Sequence, residues 1–216
     1  MTIKFLGHAS FLITSEEGVR IITDPYEPGG YDGALRYGPI TDEADIVTVS
    51  HDHADHNYVA GVPGNPVVVT ESTGVSGISF QVIGSYHDNA QGTERGPNRI
   101  FCFTVDGIRV CHLGDLGHLL STEQASSIGD VDVLLIPVGG HFAIDAQGAT
   151  RTIDQLRPAV AIPMHYKTPK VDFPIAPLDE FLADKQNVQR TDSSQMTIRA
   201  DELPEIPQVI VLEPAN

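Results

Sequence analysis

Short apolar runs separated by polar turns cover much of the chain, and this pattern predicts a protein rich in β-strands. Near the start, the apolar runs have the length of ordinary strands and fall at residues 3–6, 11–14, 19–23 and 44–49. The polar turn Ser15-Glu16-Glu17-Gly18 joins the second and third runs. We therefore expect an antiparallel sheet to open the fold.

Further along, the pattern predicts strands mixed with helices. The expected strands lie at 66–70, 78–83, 99–105, 108–112, 131–138, 159–163, 196–198 and 209–212. A capping box over 121–124 predicts a helix that ends at Gly129, and a second helix should run from Asp145 to Pro158. Residues 177–185 should form a third.

The two cysteines lie on a predicted hairpin. Asp106-Gly107 is a strong two-residue turn signal, and its register places Cys102 opposite Cys111, on the face away from Phe103 and Val110. Two cysteines are too few for a disulfide framework, and their spacing is not that of a zinc site. We expect two free thiols in a reducing cytoplasm.

Two long polar loops, 25–42 and 89–98, interrupt the predicted strands. Loops of this length are usually functional or mobile, so we expect substrate choice to depend on them.

Arg95 in the second loop and Lys167 near the end of a strand are candidates for contact with an anion. Both are equally well explained as surface charges.

Length and charge narrow the class of protein. The 216 residues fit one domain, 1–216, and a hydrophobic content of 41% indicates a folded globule. No apolar run is long enough to span a membrane, and the first residues do not resemble a signal peptide, so we expect a cytoplasmic protein. The net charge of -16 opposes binding to nucleic acid. A small-molecule substrate is the expected partner, and a homo-oligomer is compatible with the sequence.

The most informative stretch is Ser50-His51-Asp52-His53-Ala54-Asp55-His56, directly after a predicted buried strand. His51 and His53 can point to one side of an extended backbone, while a following turn aims Asp55 and His56 at a second point. Partly buried imidazole and carboxylate groups need polar partners, which a metal supplies. The stretch therefore predicts two metal ions, each needing further ligands from elsewhere. A solvated His-rich loop is the alternative.

Other candidate ligands also follow predicted strands. His87, Asp115 and His165 come at or just after strand ends, and Gly114 and Gly117 allow a tight turn around Asp115. Further histidines that compete for a ligand role are His112, His118 and His141. We prefer His87 because His112 lies on a strand, three residues before Asp115, and could reach the metals only if the loop turned back.

These motifs resemble those of the metallo-β-lactamase superfamily, in the branch of metal-dependent hydrolases related to L-ascorbate-6-phosphate lactonase. The resemblance covers about residues 7–168 and lies in five segments: 7–10, 24–25, 51–56, 114–115 and 162–166. It implies an α/β fold, a four-layer αββα sandwich with metals at one edge between the two sheets.

The resemblance also implies roles for the site residues. His51, His53 and His87 would hold one metal, Asp55, His56 and His165 the other, and Asp115 would bridge both. Asp24 resembles the family's aspartate that steadies the ligand loop by hydrogen bonds. His8 and His141 are candidates for the substrate pocket, each with a structural role as an equal alternative. Zn²⁺ suits this ligand set best, and Mn²⁺, Fe²⁺ or Ni²⁺ would also fit.

The function implied is hydrolysis by a metal-bridging hydroxide, with Asp55 and Asp115 as the catalytic carboxylates. A small ester, lactone or phosphoester is the leading substrate class. A phosphodiesterase acting on a lipid or nucleotide is the runner-up, and a nuclease conflicts with the acidic surface. From other classes, a non-catalytic metal-binding module and a redox di-iron protein remain as alternatives.

Overall fold

The computed structural model describes residues 1–216 and contains two β-sheets. The first has six strands in the order β13-β1-β2-β3-β4-β5. They are β1 (Thr2–Gly7), β2 (Ser10–Thr14), β3 (Arg20–Thr23), β4 (Ile46–Thr48), β5 (Val67–Val69) and β13 (Gln195–Thr197). β1 is antiparallel to β2, and β2 to β3, as the opening pattern predicts, whereas β4 and β5 continue the sheet in parallel.

The second sheet has eight strands in the order β12-β14-β11-β10-β9-β8-β7-β6. They are β6 (Thr73–Val75), β7 (Ile78–Tyr86), β8 (Pro97–Val105), β9 (Ile108–His112), β10 (Val133–Pro137), β11 (Val160–Met164), β12 (Val188–Arg190) and β14 (Gln208–Val211). The predicted hairpin is present with the expected register, since Cys102 pairs with Cys111. The short edge strands β6 and β12 were not predicted.

Four α-helices connect these strands: α1 (Gly30–Gly33), α2 (Thr122–Ile128), α3 (Ala146–Leu156) and α4 (Leu178–Leu182). Two 3-10 turns lie at Val59–Gly61 and Ala200–Glu202. The capping box at Ser121 and Gln124 begins α2 as predicted, and the Asp145 side chain accepts a 2.8 Å hydrogen bond from the Gly148 amide to begin α3. None of the helices has the length and apolar character needed to cross a bilayer.

Cross-strand rows of apolar side chains explain how the sheets pack. Ile13, Ile21 and Ile46 are neighbours in register and join the larger core, which contains buried residues of both sheets. The adjacent row, formed by Leu12, Ile22 and Val47, belongs to a separate cluster because successive side chains point to opposite faces of a sheet. The six-stranded sheet is therefore buried on both faces.

Irregular chain forms much of the cover over the outer face of the six-stranded sheet. Residues from the 25–42 loop, including Tyr26, Leu35 and Tyr37, pack into the second cluster with Val171 and Phe173. Helices α2, α3 and α4 instead contribute buried side chains to the larger core. The long loop therefore has a packing role, and its folded position brings Tyr31 to the edge where the candidate ligands lie.

Candidate metal centre

The histidine cluster lies where the sequence predicts it, directly after β4. His51 and His56 are buried, and His53 is half-buried. The amide of His56 donates a 2.9 Å hydrogen bond to the carbonyl of His53, so the chain turns sharply between them. The chain bends over 50–53 and turns over 54–56, rather than staying extended between His51 and His53, and the side chains still point toward two separate places.

Apart from a set in which Asp24 lies near His51 and His56, the ring and carboxylate donors form two groups. In each group the donor atoms lie within 4.8 Å of one another. The first group is His51, His53 and His87, and the second is His8, Asp55, His56 and His165. His87 follows β7 and His165 follows β11, so strand ends from both sheets bring these distant residues together.

Asp115 lies between the two groups. Its Oδ2 atom is 3.3 Å from His87 Nε2 and 3.9 Å from His51 Nε2 in the first group. The same oxygen is 3.2 Å from His56 Nε2 and 3.1 Å from His165 Nε2 in the second. One carboxylate thus faces imidazoles that come from both groups.

The backbone around Asp115 depends on two glycines. Gly114 has φ +56°, and a Cβ there would collide with the side chains of Asn98 and Ser50. A Cβ on Gly117 would collide with the backbone of His87. Asn98 also accepts a 3.0 Å hydrogen bond from the Asp115 amide. The close approach of these segments fixes Asp115 beside His87, and the glycines predicted for this turn are required on both sides.

The donor atoms fit divalent ions because several are buried without a hydrogen-bond partner. These atoms include Oδ1 of Asp115 and Nε2 of His51, His56 and His165, which lie 3.1 to 3.9 Å from Asp115 Oδ2 without the geometry of a hydrogen bond. Buried polar atoms without partners are rare and cost free energy, so their convergence needs an explanation. Nitrogen and carboxylate oxygen are the donors that Zn²⁺ prefers, and a metal would satisfy them together.

Asp24 orients two of the imidazoles, as expected of a residue behind the ligands. Its carboxylate accepts hydrogen bonds from the Ser50 amide at 2.8 Å, from Ser50 Oγ and from His56 Nδ1 at 2.9 Å. Because the Ser50 hydroxyl donates to Asp24, His51 Nδ1 must donate to Ser50 Oγ, 2.9 Å away. Both Nε2 atoms therefore point into the site. The sequence analysis includes Ser50 in the stretch but assigns it no role.

His8 contacts the second group directly. His8 Nε2 is 3.0 Å from Asp55 Oδ2, and its ring centroid is 4.2 Å from that of His165. The hydroxyl of Tyr31 donates to Asp55 Oδ1 at 2.9 Å. Both oxygens of Asp55 thus have protein partners. Burial, followed by the nearby His165, lowers the pKa of His8 to about 4, so this imidazole is neutral at pH 7.

Charges within the cluster are strongly coupled. Burial, then His56, lowers the pKa of His51 to about 3, which leaves it neutral. Burial opposes ionisation of Asp115, but His165 and His56 outweigh it and hold its pKa well below the usual range. Burial likewise opposes protonation of His56, but Asp115 and Asp55 raise its pKa well above normal. A metal ion that binds here would displace that proton.

The competing histidines have other partners. His112 Nε2 donates to the Ala9 carbonyl at 2.9 Å, and its Nδ1 accepts from the Gly114 amide at 3.1 Å. His118 Nδ1 donates to the Leu119 carbonyl, and its Nε2 accepts from the Tyr86 amide. His141, a candidate for the substrate pocket, is exposed and borders a neighbouring cavity.

A cavity of about 500 Å³ opens onto the donors. Its polar lining includes His53, Asp55, His87, Asp115 and His165. Its remaining lining is Tyr31, Ala34, Arg95, Phe142 and Phe173. The cavity has the size of a small-molecule site, and both loops expected to influence substrate choice contribute to it.

Comparison with known proteins identifies related sequences. A family model described as a beta-lactamase superfamily domain matches residues 2–165. A UPF0173 metal-dependent hydrolase of Carboxydothermus hydrogenoformans is 31% identical, and the match covers 78% of this chain and 85% of that protein. The motifs that suggest the superfamily all lie within the matched region or at its end.

Solved structures share this fold. A crystal structure from Thermotoga maritima, assigned as a Zn-dependent hydrolase of the metallo-beta-lactamase superfamily, has 36% identity and a TM-score of 0.80 and covers 98% of both chains. Human tRNase Z, short form, has 13% identity and a TM-score of 0.56, covering 78% of this chain and 93% of that one. The predicted fold class is confirmed. Because one fold carries many reactions, the substrate must be argued from the pocket.

Proposed function

The chain belongs to the beta-lactamase superfamily, and we propose that it uses two divalent metal ions, most suitably Zn²⁺, to hydrolyse a small ester, lactone or phosphoester. One observation carries the proposal. Asp115 Oδ2 lies within 3.3 Å of imidazole nitrogens from both donor groups, at the edge of a cavity. A carboxylate in this position can bridge two ions.

The ligands divide between the ions as the two donor groups do. His51, His53 and His87 would hold the first ion, Asp55, His56 and His165 the second, and Asp115 both. His8 lies against Asp55 and His165 and supports that side of the site. When bound, the ions would polarise a carbonyl or phosphoryl oxygen and lower the pKa of water toward neutrality.

The chain's own residues prepare the site for that chemistry. Asp24 and Ser50 fix the tautomers of His56 and His51, and His8 and Tyr31 hold Asp55. The cavity lining contains no serine, threonine, cysteine or lysine. The carboxylates and imidazoles of the lining are the proposed metal ligands, so water is a more suitable nucleophile than a side chain, which favours direct hydrolysis over a covalent intermediate.

A substrate screen tests the proposal. Zn²⁺-loaded protein should hydrolyse at least one member of a panel of aryl esters, lactones, phosphomonoesters and phosphodiesters, with thioesters and β-lactams as further comparisons. Chelation and Asp115→Asn should each remove that activity. If the protein binds two ions but hydrolyses none of these classes, a metal-binding module without catalysis is the better description.

A further inference from the structure

Aromatic rings form the wall of the cavity above the metal donors. The ring centroids of Tyr31 and Phe173 are 5.3 Å apart at an interplanar angle of 89°, and those of Phe142 and Phe173 are 5.9 Å apart at 80°. Edge-to-face packing of this kind favours a defined arrangement of the rings. The wall thus offers an ordered apolar surface to any molecule that reaches the metal donors.

Arg95 is the only lysine or arginine among the residues that line this cavity. Its guanidinium carbon lies 5.7 Å from the centroid of Phe142. Its nearest carboxylate is Glu94, whose Oε2 is 3.6 Å from Arg95 Nη1 and whose side chain is 63% exposed. The guanidinium makes no hydrogen bond within the chain, so its donors are available to a molecule in the cavity.

Arg95 is paired with a carboxylate more weakly than several other arginines of this acidic protein. Arg20, Arg36 and Arg199 pair with carboxylates at distances from 2.8 to 3.2 Å. Arg95 instead borders the cavity that holds the metal donors.

The backbone that carries Arg95 is firmly held. The buried carboxylate of Asp88 accepts hydrogen bonds from the amides of Ala90 and Gly92 at 2.7 and 2.8 Å. It also accepts from the amides of Glu94 and Arg95 at 3.1 and 2.8 Å. Asp88 directly follows His87, so the loop that presents Arg95 is fixed to the metal centre itself.

We propose that the substrate has a small aromatic or apolar body and an oxyanionic group remote from the bond that is cleaved, with Arg95 binding this group and Phe142 and Phe173 packing against the body. This substrate class rests on the hydrolase function proposed above. The planar guanidinium matches the geometry of a carboxylate or phosphate, and the flat rings match an aromatic body. Two bound divalent ions and Arg95 would outweigh the charges of Asp55 and Asp115 and make the cavity cationic, which would admit an anion into an acidic protein.

Binding of unreactive carboxylates tests Arg95 without any need for turnover. The probes are benzoate, which has one carboxylate, and isophthalate and terephthalate, which carry a second at different distances. On Zn²⁺-loaded protein, calorimetry should show that at least one dicarboxylate binds roughly tenfold more tightly than benzoate, because a second charged hydrogen-bonding group is engaged. Arg95→Gln should abolish this gain and leave benzoate binding nearly unchanged.

The control variant is Arg199→Gln, which removes the same charge from an exposed pair far along the chain. It should retain the gain. The assignment of Arg95 is overturned if neither dicarboxylate binds more tightly than benzoate, if no probe binds, or if the gain survives in Arg95→Gln.

Comparison of benzoate with acetate tests the aromatic wall. Benzoate should bind the wild-type protein more tightly than acetate does, and Phe142→Ala should reduce that ratio several-fold. Phe142→Leu, which keeps an apolar side chain, should retain more of it. Equal affinities for benzoate and acetate would show that the rings do not bind the body of the substrate. A benzoate-to-acetate affinity ratio that is unchanged in Phe142→Ala would show the same.

These outcomes are separable from failure of the hydrolase function. Binding that depends on Arg95, with no hydrolysis of any ester or phosphoester, would support the pocket and overturn the hydrolase. A second outcome is that neutral and carboxylated aryl esters are hydrolysed with the same kcat/KM, in both the wild type and Arg95→Gln. That outcome would support the hydrolase function and overturn the proposed role of Arg95 in binding the substrate.

Discussion

The sulfur atoms of Cys102 and Cys111 lie 3.5 Å apart, directly opposite each other on β8 and β9. Both thiols are buried, and neither forms a disulfide. The hairpin register that Asp106-Gly107 predicts is therefore confirmed. β9 leads through His112 into the turn that carries Asp115, so this pair lies next to the candidate metal centre in the chain.

We expect both thiols to react slowly in the native protein and fully after unfolding, because burial limits their access to reagents. A strong oxidant should join them, since side chains of a non-hydrogen-bonded antiparallel pair are close enough for a disulfide. Thiol titration and mass spectrometry measure both results. Cys102→Ser, which cannot form the bond, is the control, and a disulfide in freshly reduced protein would contradict the expectation.

His87 and His112 should respond differently to substitution. His87→Ala should lower the number of bound metal ions, because it removes one of three donors in its group. His112→Asn should keep the metals but destabilise the fold by about 1–3 kcal/mol, since buried hydrogen bonds to Ala9 and Gly114 are lost. Metal analysis and thermal unfolding separate the two effects. Metal loss in His112→Asn with full occupancy in His87→Ala would reverse the assignment.

Local sequence signals were enough to predict much of this architecture. The strand-end positions of His51, His87 and His165, the glycine-dependent turn at Asp115 and the capping box at Ser121 all depend on short-range patterns. A strand end is visible in sequence because an apolar run stops there. Which strand ends meet could not be derived from those patterns, and the superfamily resemblance supplied that information.

What the sequence did not predict depends on long-range contacts. The approach of His8 to Asp55 spans 47 positions, and the hydrogen bond from Tyr31 to Asp55 depends on a turn in which Tyr31 and Asp32 both adopt left-handed backbone angles. Phe142 and Phe173 are far apart in sequence and meet because they follow the neighbouring parallel strands β10 and β11. The edge strands β6 and β12 have three residues each, too few for a clear periodic signal.

Removal of metal should destabilise the protein. Nε2 of His51, His56 and His165 are buried without hydrogen-bond partners. Ions that bind the folded state alone add stability of about 4 kcal/mol when free metal is about 1,000 times Kd. Zn²⁺ should therefore raise the unfolding temperature of chelator-treated protein. Mg²⁺, which prefers oxygen donors, should have a much smaller effect. Identical unfolding temperatures with and without Zn²⁺ would contradict a metal site here.

Tyr31→Phe should weaken the second metal position without disturbing the fold. The substitution keeps the aromatic wall but removes the hydroxyl that donates to Asp55 Oδ1. Loss of such an outer contact typically costs about 10–100-fold in metal affinity or activity, and the lower figure is expected because Tyr31 is 47% exposed. Tyr58→Phe is the control, since the Tyr58 hydroxyl contacts no ligand. Unchanged metal affinity in Tyr31→Phe would show that Asp55 does not need this donor.

Asp115→Asn should affect both metal positions, because Asp115 Oδ2 faces histidines of both donor groups. The amide keeps the shape of the side chain but removes one negative charge, which leaves two neighbouring cations more repulsive. At least one ion should bind less tightly, and turnover should fall by roughly 100-fold or more, further than folding stability falls.

Asp52→Asn is the matched control for this prediction. Asp52 lies between two candidate ligands in sequence, yet its side chain is exposed and accepts a hydrogen bond from Asn57. The same loss of charge should therefore leave metal content and rate nearly unchanged. Metal analysis and kinetics on both variants decide the matter. Two tightly bound ions and a near-normal rate in Asp115→Asn, together with metal loss in Asp52→Asn, would assign the bridging role to another residue.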